Sequence, residues 1–113
     1  MREIAADELA ERLARGERLA VLDVREPRER AFCAIGLPPT AADLHVPMGL
    51  VPQRLGEVRA AMEGATGVVY CHHGVRSRMV GEWLERQGLT GLLNLTGGVD
   101  AWSTKVDPAV PRY

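Results

Sequence analysis

The sequence predicts an α/β fold: a central, mostly parallel sheet of about four or five strands flanked by helices. Three observations predict it. Short apolar runs at 19–24, 67–71 and 92–95 alternate with longer stretches of helical periodicity. The runs are continuous rather than alternating, as in strands buried on both faces. Glycines at 16, 64 and 88 close the helical stretches. With 113 residues the chain has room for one domain, read as 1–113 with a proline-containing tail at 106–113.

The elements follow in order. A first helix is expected at about 6–15, where Leu9, Ala10, Leu13 and Ala14 make one stripe. Leu19–Val24 is a buried strand. Residues 25–32 hold a short helix with Pro27 in its first turn. Gly36, Pro38 and Pro39 make 33–43 an irregular loop, and 44–46 a short strand closed by Pro47. Val51, Leu55, Val58 and Met62 place a helix over about 51–62 and are read as core. Gly67–Cys71 is the second clear strand. After the turn HHGVR a helix runs to about Gln87, with Met79, Val80, Trp83 and Leu84 facing inward. Leu92–Leu95 is the last strand, followed by a short helix at about 99–103. Trp102 is read as core.

Composition excludes several classes of function. Fourteen basic against 15 acidic residues give a net charge of −1, with no basic excess to support a nucleic-acid or membrane-surface role. No apolar run approaches the ~20 residues of a membrane span. The N-terminus is charged throughout and has no signal-peptide core, so a cytoplasmic, reducing setting is the default. Two cysteines do not make a disulfide scaffold.

The chemistry concentrates in VVYCHHGVRSRMV (68–80). Cys71 stands at the carboxyl end of a buried strand, and a helix starts within a few residues. Ligands and catalytic groups collect at that edge of open α/β sheets. Turn amides and a helix N-terminus form a positive concavity there, which favours the thiolate. Arg76 and Arg78 add charge, and Gly74 frees the backbone for a tight cradle. A structural buried cysteine is the bland alternative. The whole combination, C-H-H-G-V-R-S between strand and helix, favours a reactive one.

Several segments together resemble the rhodanese family of sulfurtransferases. LDVREPRE (22–29) is similar to the family's strand-and-turn signature, and HVPMG (45–49) to the lead into its middle helix. CHHGVRS (71–77) resembles its active-site loop, and LTGGVDAW (95–102) its closing motif. The resemblance covers nearly the whole chain. It implies a thiosulfate sulfurtransferase-type enzyme in which Cys71 takes sulfur from thiosulfate or a protein persulfide, becomes a persulfide, and passes the sulfur to a thiol, cyanide or a sulfur-carrier protein. The loop amides from His72, His73, Gly74, Val75 and Arg76 are expected to hold the persulfide. Arg76 is the expected anion contact, with Arg78 and Arg25 as secondary ones. No cofactor, metal, nucleic acid or membrane is implied. At 34–46 the chain reads AIGLPPTAADLHV where the family has Gly-His-Ile-Pro-Gly-Ala, so that loop and the pocket rim are expected to differ. The tail, with the loop, is similar to rhodanese modules attached to sulfur-carrier adenylyltransferases. The resemblance leaves the pathway and the natural donor and acceptor open.

Three rivals are weighed against this. A cysteine-dependent phosphatase or arsenate reductase places arginine six residues after cysteine; here Arg76 is five after Cys71 and Ser77 is sixth. A non-catalytic binding module of the same family survives if the Cys71 thiol is inaccessible. A metal site drawn from Cys71, His72, His73 and His45 is disfavoured, since neighbours on one turn rarely converge on one ion. His72 and His73 are read instead as the rim of the loop. Cys33 is read first as a small packed residue, and second as a resolving partner for Cys71. Asp23, Arg25, Glu26 and Glu29 read as a solvated or salt-bridged turn.

Overall fold

A computed structural model describes all residues 1–113. Five strands form one sheet: β1 (Arg2–Ile4), β2 (Leu19–Asp23), β3 (Ala42–His45), β4 (Thr66–Tyr70) and β5 (Leu93–Leu95). Their spatial order is β1-β5-β4-β2-β3, and every pairing is parallel. Five helices connect them: α1 (Ala6–Ala14), α2 (Pro27–Phe32), α3 (Leu55–Met62), α4 (Val75–Arg86) and α5 (Gly98–Lys105). No helix is long and apolar enough to cross a membrane.

The continuous apolar strands split between two cores, as period-two geometry demands. Leu19, Val21, Val68 and Tyr70 face Leu9, Leu13, Val99 and Trp102 of α1 and α5. Ala20, Leu22, Val69 and Cys71 belong to the opposite core with Val58, Val80 and Leu84 of α3 and α4. The register sets Asp23 of β2 beside Tyr70 of β4 on one side and His45 of β3 on the other. These strand ends and the turns leaving them make the edge on which the site is built.

The structure departs from the sequence reading at several places. β1 was not expected; it is a three-residue edge strand with one buried side chain, Ile4, too short to show a pattern. The expected helix at 51–62 starts later, because Met48–Leu50 form a 3₁₀ turn and 51–54 a further turn. Val51, Val58 and Met62 are nevertheless buried. On α4 the buried stripe is Ser77, Val80, Gly81 and Leu84. Met79, expected inside, is 54% exposed, since helical spacing puts it on the far side of α4 from the centre of that stripe. Trp83 is half-buried, and Ala14 at the end of α1 is exposed.

Candidate active site

Cys71 follows directly on β4 and opens the turn into α4. Gly74 precedes the helix with φ +104°, a left-handed conformation that side chains disfavour. That conformation turns its N–H back onto the Cys71 sulfur at 3.1 Å. The Ser77 N–H reaches the same sulfur at 3.4 Å. Both donors belong to the N-terminal end of α4, whose aligned dipoles favour negative charge at that point. Cys71 is 1% exposed.

A second layer fixes these donors. The Asn94 amide NH₂ donates to the Gly74 carbonyl at 3.1 Å and to the Glu3 carboxylate at 3.2 Å. Its carbonyl oxygen therefore faces Ser77 and accepts the Ser77 hydroxyl at 2.6 Å. The Ser77 Oγ, 3.3 Å from the Cys71 sulfur, thus turns a lone pair toward it. A thiol proton is accommodated there, and the thiolate draws its support from the two backbone amides.

The glycine pair Gly97–Gly98 at the start of α5 brings that helix against the same turn from the other side. The Val99 and Asp100 N–H groups donate to the carbonyls of Cys71 (2.9 Å) and His72 (3.2 Å). Gly98, at φ +62°, lies so close that a Cβ would stand 2.4 Å from both carbonyl oxygens. Those are backbone atoms that cannot step aside. Gly98→Ala is therefore expected to cost about 2–3 kcal/mol, read by urea denaturation, and to displace the Cys71 turn.

The other expected site residues are placed as follows. His72 stacks on Tyr113, with ring centroids 3.8 Å apart and planes 8° from parallel, and its Nε2 is buried without a partner. Burial, with His73 beside it, lowers its pKa, so the ring is neutral at pH 7. His73 is exposed and lies 3.9 Å from Asp100. Val75 is 70% exposed. Arg76 faces Glu29 of α2 with both terminal nitrogens, at 2.7 and 2.9 Å. Arg78 points away toward Glu3 (2.7 Å) on β1.

Arg25 lies fully buried under the turn after β2. Its guanidinium donates to both oxygens of Asp23 (2.9 and 2.8 Å), to the Cys33 carbonyl (2.7 Å) and to the Tyr113 hydroxyl (3.1 Å). It is committed to the protein interior and offers no donor to a surface anion, so the turn is salt-bridged rather than solvated. His45 is likewise occupied, with Nε2 2.8 Å from the Arg25 carbonyl. Cys33 is 8% exposed and packs in the core opposite to that of Cys71.

Asn94 and Tyr113 escaped sequence reasoning, and Ser77 and Glu29 were read only as members of the loop and of the charged turn. Asn94 carried a usable signal. It is the single asparagine of the chain and sits in an apolar strand, where a buried amide must find partners. Tyr113 and the pairing of Glu29 with Arg76 carried none, because the partners are remote in sequence.

Residues 5–105 match the rhodanese-like domain family. A sulfurtransferase of Allochromatium vinosum is 37% identical over 96% of this chain and 94% of its own length. A probable adenylyltransferase/sulfurtransferase, MoeZ of Mycobacterium tuberculosis, is 31% identical over 97% of this chain, which spans 26% of that protein. The crystal structure of a rhodanese-like domain protein from Staphylococcus aureus superposes with a TM-score of 0.75 at 29% identity, covering 100% of this chain and 99% of that one.

Proposed function

Because this chain belongs to the rhodanese-like domain family, we propose that it is a sulfurtransferase that carries sulfane sulfur on Cys71. The observation that carries the reading is the convergence of the Gly74 and Ser77 amides on the Cys71 sulfur at the start of α4. Such donors stabilise a thiolate before attack and a persulfide anion after it.

The chemistry divides into two displacements. The Cys71 thiolate attacks the outer sulfur of a donor. The donor's sulfur–sulfur bond breaks, its electron pair leaves with the inner group, and Cys71 keeps the outer sulfur as a persulfide. An acceptor nucleophile then attacks that outer sulfur. The new sulfur–sulfur bond breaks, and the electron pair returns to Cys71 as thiolate. No electron is supplied or lost across the cycle, so no cofactor enters it. The recessed sulfur suits this exchange, because a terminal, unbranched sulfur reaches it more easily than a bulky electrophile does.

Initial rates with thiosulfate or a hydropersulfide as donor and cyanide as acceptor test the proposal. Thiocyanate formation with parallel double-reciprocal lines is the expected result. Intersecting lines would show that donor and acceptor bind together, and would remove the covalent carrier. One observation favours a second reading, a binding module without catalysis: Cys71 is only 1% exposed. That reading predicts no thiocyanate from either donor.

A further inference from the structure

Arg76, Arg25 and Arg112, the arginines described around the Cys71 turn, are each matched by a carboxylate. Glu29 accepts both terminal nitrogens of Arg76. The same carboxylate also accepts the Glu26 N–H at 2.9 Å and the Tyr113 hydroxyl at 2.7 Å. Four hydrogen bonds hold it in place, and the Arg76 contact keeps it ionised far below the ordinary carboxylate range. Arg25 is cancelled by Asp23 in the interior, and Arg112 by Asp100 (2.8 Å) at the rim. His72 is neutral. Apolar and aromatic side chains also reach the surface beside the turn, next to the exposed His73: Val75 at 70% exposure, Phe32 at 53%, and the Tyr113 ring packed edge-on to Phe32.

We infer that Glu29, by closing both oxygens on Arg76, makes this mouth select donors whose reactive sulfur carries no dianionic group, namely hydropersulfides of low charge, over thiosulfate. The inference rests on the sulfur-transfer reading above and names its donor class. Charge decides it. Thiolate attack on thiosulfate brings a monoanion against a dianion and expels sulfite, which leaves as a dianion. That route needs uncompensated positive charge where the sulfonate sits. Attack on a hydropersulfide, R–S–S–H, forms the Cys71 persulfide, breaks the donor sulfur–sulfur bond and releases one thiolate, so the total charge stays at a single negative. The amides of Gly74 and Ser77 supply donors for one anionic sulfur. The Arg76 guanidinium nearest them is already taken up by Glu29.

The test compares Cys71 loading by thiosulfate and by N-acetylcysteinamide hydropersulfide, as second-order rates from quenched-flow intact mass, in wild type, Glu29→Gln and Val75→Lys. Glu29→Gln frees the Arg76 charge while keeping an oxygen that accepts hydrogen bonds. Val75→Lys adds an unpaired cation at an exposed position and breaks no bond. Wild type is expected to prefer the hydropersulfide, with a thiosulfate rate that varies little with ionic strength. Each variant is expected to raise the thiosulfate-to-hydropersulfide ratio about tenfold, with a new salt dependence. A wild type that prefers thiosulfate, or a ratio unmoved in both variants, overturns the inference and leaves sulfur transfer standing. Loading by neither donor overturns the sulfur-transfer reading and the inference with it.

Discussion

Cys71→Ser lowers sulfur transfer by on the order of 10⁵-fold, to the rate of the uncatalysed exchange. The substitution keeps the size of the side chain and the approach of the Gly74 and Ser77 amides. It removes the one group in the turn that ionises to a strong nucleophile, since a serine hydroxyl stays protonated at neutral pH. Cys33→Ala separates this from a role for the second cysteine. Cys33 lies in the core on the opposite face of the sheet, so turnover is expected to stay within a few-fold of wild type. The measurement is thiocyanate formation under matched donor and cyanide. Equal loss in both variants would make the two cysteines a relay rather than one carrier and one packed residue.

Arg25→Met lowers stability by about 3–5 kcal/mol, the cost of stranding a buried carboxylate. Asp23 and Arg25 are both 0% exposed and share two hydrogen bonds, at 2.9 and 2.8 Å. Without the guanidinium, Asp23 retains the Arg25 N–H and a 3.4 Å contact from Arg30. The Cys33 carbonyl loses its donor as well. Urea denaturation at pH 7 reads the loss, and the melting temperature falls by roughly 10–20 °C. The double variant Asp23→Leu with Arg25→Met is expected to recover part of it, because the charge is gone with its partner. An Arg25→Met protein of wild-type stability that had lost thiosulfate reactivity alone would instead make Arg25 a surface anion contact.

The parts of the fold that repeat a long pattern were legible in the sequence. Leu19–Asp23 and Thr66–Tyr70 carry continuous apolar runs because both faces are covered, and the runs alone identify them as inner parallel strands. β1 was not legible, since an edge strand of three residues needs to bury only Ile4. Met79 was misplaced because two overlapping helical stripes are available on α4, and contact with the sheet selects Ser77, Val80, Gly81 and Leu84. Within the site, the turn itself could be read locally: a strand end, a glycine and a helix start suffice to aim amides at Cys71. Its charge balance could not. The Arg76–Glu29 pair joins α4 to α2 across 47 residues, and an arginine reads as a free cation until the fold supplies its carboxylate.

Intact-mass analysis after exposure to a hydropersulfide, followed by peptide mapping, shows whether Cys71 carries sulfur. The expected result is a gain of one sulfur, about 32 Da, mapped to Cys71, reversed by cyanide or dithiothreitol and missing in Cys71→Ser. A protein that gains no sulfur from hydropersulfide or thiosulfate, or that carries it on Cys33, does not use Cys71 as its sulfur carrier.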